Sequence, residues 1–179
     1  MIVEAGDVLA VCFSAPEVEL LSRGQLAGHA GLGRLGPDLL SPDFDEADAL
    51  ARLSAATGTE IADALLDQLI VAGIGNVYKS EVLFLERVSP FVKAGSLPLE
   101  ALAQLLRTAR RQLKRNVGAS KRRTTGDGQR NALWVYDRAG QPCARCSTPI
   151  RRMAQGPHAR STYWYPSCQE LHQKPSHMR

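Results

Sequence analysis

Long hydrophobic runs are missing from this chain: nowhere do about eighteen apolar residues follow one another, the length a membrane-spanning helix needs. The opening residues, Met-Ile-Val-Glu-Ala-Gly-Asp, carry neither a basic start nor an apolar stretch, so no secretory leader is expected there. Aromatic residues are sparse at 6%, while the 44% apolar fraction is ordinary for a globular protein. Cysteine is scarce as well. There are 4 in 179 residues, two of them as Cys143-x-x-Cys146, which suits a metal site in a reducing cytoplasm better than a disulfide framework. The length allows one domain or two small ones, with enough chain to bury a core.

Basic residues are nearly absent from the first part. Residues 1–67 hold 3 Lys/Arg against 12 Asp/Glu, a net of −9, whereas residues 68–179 hold 19 against 6, a net of +13. Any face that binds a polyanion is therefore expected in the second part. The plainer alternative is two solvated faces of opposite sign that attract each other.

The chain is organised around Gln68-Leu69-Ile70-Val71-Ala72-Gly73-Ile74-Gly75-Asn76-Val77-Tyr78-Lys79-Ser80-Glu81. An apolar helical pattern runs in from Thr59 (Ile61, Leu65, Leu66, Leu69, Ile70), and a second runs out (Val77, Val82, Leu83, Leu85). Gly73 and Gly75 break the helix, because glycine tolerates positive φ and lets another backbone come close. Asn76 stands where the next helix begins, beside orphan N–H groups and the positive end of the dipole, a seat for a phosphate. The alternative is an ordinary helical hairpin with a C-cap glycine and an N-cap asparagine.

Before this stretch, Ile2-Val3-Glu4 and Val8 to Phe13 predict a β-hairpin turning at Ala5-Gly6-Asp7, with a further short strand at Val18–Leu21. Cys12 reads as a buried core thiol. Residues 22–45 are rich in Gly, Pro and Asp and read as a linker. A helix is expected at about 46–54, its first turn acidic (Asp45, Glu46, Asp48). Past the central motif, Ser96 is expected to cap a long helix with Pro98 in its first turn. That helix carries Arg107, Arg110, Arg111, Lys114 and Arg115 in its last turns, more cations than capping needs. Residues 118–131 include Lys121, Arg122 and Arg123 and read as a mobile loop that orders on a phosphate backbone, or as a merely solvated one. Strand-like runs on either side of Cys143-x-x-Cys146, from Leu133 to Tyr136 and from Arg160 to Tyr165, suggest a metal-binding β-hairpin.

The string Val-Ala-Gly-Ile-Gly-Asn-Val-Tyr-Lys-Ser-Glu-Val-Leu-Phe closely resembles the helix–two-turn–helix motif of the formamidopyrimidine-DNA glycosylase / endonuclease VIII family, base-excision repair enzymes that remove oxidised bases and nick the abasic site. Leu35-Gly-Pro-Asp-Leu-Leu40 resembles that family's interdomain segment, and the cysteine-bearing end resembles its C-terminal zinc finger. The resemblance implies that Asn76, with Gly75, contacts a DNA phosphate beside the lesion, and that Arg160 reaches the flanking phosphates from the hairpin tip. It implies structural zinc on Cys143, Cys146 and Cys168. The family's remaining cysteine is Tyr165 here, so the site is expected to be weakened, its fourth ligand a water, His158, His172 or nothing. The family's nucleophile is an N-terminal proline amine followed by glutamate. Ile2 and Val3 occupy those positions, so the resemblance starts late and no catalytic residue is assigned.

The expectation is an α+β fold: 1–21 as the remnant of a β-sandwich, 22–45 as an interdomain linker, 46–131 as the helix–two-turn–helix domain, 132–174 as the zinc-finger hairpin and 175–179 as a disordered tail. The expected function is the DNA-gripping portion of a DNA glycosylase and abasic-site lyase, inactive alone. Its partner is double-stranded DNA with oxidised bases or abasic sites, and it is a monomer in the cytoplasm, on the nucleoid of a bacterium. The alternatives are a non-catalytic module for abasic or distorted DNA, or a half-enzyme completed by a separate β-sandwich chain.

Overall fold

The computed structural model describes residues 2–13, 18–126 and 128–169. They form two compact units that divide after Arg34.

The first unit carries a two-stranded antiparallel hairpin, β1 (Ile2–Ala5) and β2 (Val8–Val11), with Ile2 opposite Val11 and Ala5 opposite Val8. Its strand residues are all exposed, and Cys12 is exposed too, not buried as its apolar neighbours suggested: two strands make no enclosed face. No strand forms at residues 18–21. Two short helices follow, α1 (Arg23–Ala27) and α2 (Ala30–Gly33). Ser22 and Gln25 cap α1 reciprocally, and His29 caps α2 through its ring nitrogen. The expected linker at 22–45 is thus partly helical.

The rest of that expected linker belongs to the second unit. The Gly36 and Leu39 N–H groups donate to the Gln68 and Ala72 carbonyls, and Leu39 is fully buried. The segment therefore lies along the central turn. Helix α3 (Glu46–Ala55) follows, capped by the Asp45 carboxylate. Helix α4 (Ile61–Leu66) is shorter than its apolar pattern implied, because the chain leaves the helix at Asp67. Helix α5 (Asn76–Leu85) comes next, then a 3-10 turn (Ala94–Ser96) and the long α6 (Leu99–Arg115). Pro98, not Ser96, precedes α6; the Ser96 hydroxyl donates to the Lys93 carbonyl instead. Leu53, Ile61, Leu65, Val71, Ile74, Val82, Leu102, Leu105 and Leu106 from these elements close one core. Each such side chain contributes about 1.5–3 kcal/mol by leaving water.

Most of the α6 cations have intramolecular work. Arg107 pairs with Glu46 and Glu100. Arg110 donates to the Ser41 carbonyl and lies over the Phe44 ring. Arg111 donates to the Thr108 hydroxyl.

The C-terminal hairpin pairs β3 (Arg151–Gln155) with β4 (Arg160–Trp164), the tip being Gly156–Ala159. The expected strand at Leu133–Tyr136 is absent: that run is a turn-rich loop packed on α5. A second apolar cluster of Phe84, Val135, Cys143, Ile150, Tyr163 and Tyr165 joins α5 to the hairpin. The tail expected at 175–179 lies outside the described residues. Among the described residues, no helix is long and apolar enough to cross a membrane.

Candidate functional site

The two turns between α4 and α5 are built on Gln68, a residue whose role the sequence did not disclose. Its side-chain amide donates to the Leu66 carbonyl at 2.9 Å and the Ile74 carbonyl at 3.1 Å, and its oxygen accepts from the Gly73 N–H at 3.0 Å. One side chain thereby holds both turns. Gly73 has φ +106°, a conformation that L side chains rarely adopt. Gly75 differs from the expectation. At φ −102° and ψ 178° it is extended, and a Cβ there would meet nothing within 4 Å. Its value is the open space before the helix, not its dihedral freedom.

Gly75 is itself the N-cap of α5, and no side chain caps the helix. Asn76 is the first helical residue, so the plain reading of it as an N-cap fails. Its side-chain oxygen is buried without a hydrogen-bond partner. Uncapped N–H groups and the dipole thus meet the Asn76 side chain, whose oxygen has no donor, at one spot.

The hairpin tip faces that spot. A cavity of about 420 Å³ is lined by Leu66, Gln68, Gly73, Gly75, Asn76 and, from the hairpin, His158 and Arg160. A neighbouring cavity of about 570 Å³ shares Gln68, His158 and Arg160 and adds Asp63, Asp67 and Gln155. Arg160 is exposed, at the first position of β4, following Ala159 with φ +48°. The two acids come from the acidic first part of the chain, so the charge division along the sequence is not a division between faces.

Polar contacts seat the tip on α4 and α5. Gln155 donates to the Glu60 carboxylate at 2.7 Å and to the Pro90 carbonyl at 3.1 Å, and accepts from the Thr162 hydroxyl at 2.7 Å. Gly156, at φ +70°, leaves no room for a Cβ against the Asp63 carboxylate. Burial, then the nearby Glu60, raises the Asp63 pKa. Lys79 is fully buried and donates to the Ser161 carbonyl at 3.2 Å and the Thr162 hydroxyl at 2.8 Å.

Glu81, also fully buried, accepts from the backbone N–H groups of Trp134, Val135 and Tyr136, each at 2.8 Å, and from the Thr124 hydroxyl. Its partners lie 43–55 residues away in sequence, which is why the sequence offered no role for it. The signal available was the polar run Lys79-Ser80-Glu81 inside an otherwise apolar helix.

The basic segment is less loose than expected. Asn116 holds the Arg123 N–H and carbonyl, and the Arg123 guanidinium donates to Thr125, Gly126 and Gln129. Lys121 and Arg122 stay exposed.

At the hairpin base, the sulfurs of Cys143, Cys146 and Cys168 lie within 4.8 Å of one another. The Tyr165 hydroxyl stands 2.7 Å from the Cys146 sulfur and contacts the Thr148 hydroxyl. Burial pushes that phenol up to about 12, so it is neutral. The set fits one soft cation on three thiolates, with the Tyr165 phenol beside Cys146. His158 lies at the tip and is not part of this cluster; His172 lies outside the described residues.

The fold and site therefore define a helix–two-turn–helix protein with a cysteine-bearing hairpin folded against its second helix. The sequence profile of the formamidopyrimidine-DNA glycosylase H2TH domain matches residues 35–127, and the chain belongs to that family. It is 39% identical over 172 residues to the DNA-(apurinic or apyrimidinic site) lyase Nei2 of Mycolicibacterium smegmatis, covering 94% of this chain and 65% of that protein. The MutM (Fpg) structure from Thermus thermophilus superposes with a TM-score of 0.69 at 34% identity, covering 82% of this chain and 58% of that one. A Lactococcus lactis Fpg in complex with abasic-site DNA gives 0.71 at 30% identity, over 86% and 57%. This chain thus spans less than two thirds of the length of these proteins.

Proposed function

We propose that the cleft between the two-turn segment and the hairpin tip grips the sugar–phosphate backbone of duplex DNA beside a damaged or abasic nucleotide, as a part of base-excision repair. The observation that carries this is the convergence of Asn76, at an uncapped helix start, and Arg160 on one cavity. A phosphate there would accept from the helix N–H groups and the Arg160 guanidinium, and from the Asn76 side chain through its NH2 group with the amide turned toward it. Lys121 and Arg122 add exposed positive charge. Among the described residues, the lining of the two cavities holds no lysine. We read this portion as grip, not nucleophile.

The test is melting and DNA binding measured on the same Asn76→Ala sample. Affinity for an abasic-site duplex should fall by about 1–3 kcal/mol, the scale of a charge-assisted hydrogen bond, with the melting temperature held. Lost stability with unchanged affinity would remove the proposal.

Zinc is the ion we assign to Cys143, Cys146 and Cys168, where it would cross-link the hairpin base. With three thiolates and a neutral phenol where a fourth thiolate would close the set, the ion should be readily taken by a chelator. Tyr165→Cys should slow that loss and raise the thermal stability of the hairpin. Equal chelator resistance in both proteins would show that the fourth donor contributes nothing.

A further inference from the structure

Lys79 is a buried charge that the site described so far does not use. It lies in the first turn of α5, three residues after Asn76, and its ammonium ends on Ser161 and Thr162, immediately after Arg160. One side chain thus joins the two elements that flank the cleft. Both oxygens that accept from it are neutral. Around it stand Asp63 on α4 and Arg160 on β4; Glu81, two residues on along its own helix, has its carboxylate already taken by four donors. Lys79 lines neither cavity. A fully buried ammonium bonded to neutral oxygens is costly to keep charged. A phosphate held by Arg160, whose chain neighbours Ser161 and Thr162 accept from the ammonium, lowers that cost.

We propose that Lys79 is a positioning residue and buried counter-charge for the DNA phosphate, and that DNA binding draws a proton onto its amine. This rests on the cleft being a phosphate seat. Before binding, burial pushes the amine down to about 8; Asp63 opposes that shift and Arg160 adds to it. A phosphate against Arg160 neutralises the repelling charge and brings a negative one, so the amine holds its proton more firmly in the complex. The complex then binds more protons than the free protein above about pH 8, and affinity falls as pH rises through that value.

The experiment is anisotropy titration of the 179-residue chain with an abasic-site duplex from about pH 6.5 to 9.5 at constant ionic strength. The unmodified chain should lose affinity above pH 8, with a limiting slope of about ten-fold per pH unit. Lys79→Met should bind several-fold more weakly at pH 7, with a flat profile. Lys79→Arg should keep the pH 7 affinity and lose the decline. A flat profile in the unmodified chain, or an unchanged slope in Lys79→Met, overturns the proposal. Should the variants not fold, calorimetry of the unmodified chain at pH 8 in two buffers of different ionisation enthalpy reads the same event. Proton uptake on binding supports it, and none overturns it. Asn76→Ala and Arg160→Ala separate this from the parent reading: if both bind DNA normally, the phosphate seat is wrong. If both weaken while the pH profile is flat, only the role of Lys79 is wrong.

Discussion

The two ends of α5 are finished in opposite ways. At its C-terminal end, the Phe84 and Leu85 carbonyls accept from the Arg145 guanidinium at 3.0 and 3.4 Å, and that guanidinium lies 4.4 Å over the Phe84 ring. One turn earlier, Glu81 is saturated by loop N–H groups. At its N-terminal end no side chain caps the helix, and the Asn76 oxygen is buried without a partner. The chain satisfies the C-terminal end of α5 from within, by a guanidinium about sixty positions away. The end it leaves open borders the cavity shared with Arg160. That contrast separates a structural terminus from the terminus proposed to hold a phosphate better than residue type does, since both ends are flanked by polar side chains.

The contrast breaks most visibly at Glu81. Glu81→Ala strands the Val135 N–H in a buried setting and the Trp134 and Tyr136 N–H groups in a half-buried one, and a stranded buried donor costs about 1–3 kcal/mol. The expected loss, read by urea unfolding with Trp134 fluorescence as the probe, is about 4 kcal/mol or more, a size reserved for broken buried networks. Glu81→Gln should recover part of it, because an amide oxygen still accepts. A loss under about 1 kcal/mol in Glu81→Ala would show that the loop does not depend on α5.

The open end is sharpened by pairing Asn76→Ala with Arg160→Ala. Each should weaken DNA binding by about 1–3 kcal/mol, and the double variant by less than the sum, since both would hold one backbone segment. Strict additivity would place the two residues on separate phosphates.

The smallest effect is expected at the closed end. Arg145→Met removes the guanidinium from the last carbonyls of α5 and from the Phe84 face. The cost should be about 1–2 kcal/mol of stability, with DNA affinity unchanged. A loss of affinity equal to that of Asn76→Ala would erase the distinction between the two ends.

Much of this protein is legible from its sequence, for a local reason. The glycine–asparagine turn, the acidic start of α3, the apolar stripe of α6, the hairpin at Ile2–Val11 and the Cys-x-x-Cys knuckle depend on neighbours within a few residues. Asn76 can be named in advance because it stands where a helix begins, whereas Arg160 is named only through the resemblance to the family's hairpin. Distant partners decided the rest. Gln68 reads as one more polar residue until the turn brings Leu66, Gly73 and Ile74 around it. Lys79 and Glu81 look like solvated charges on a helix until β4 and the 133–136 loop cover them. The strand expected at Leu133–Tyr136 gave way because its N–H groups are taken by one carboxylate instead of a neighbouring strand. His158 is one of the fourth ligands the sequence leaves open, yet the hairpin carries it to the tip, and it is not part of the thiol cluster. Periodicity reports which side of an element faces inward; which atom answers a buried charge is settled when elements far apart in the chain pack together.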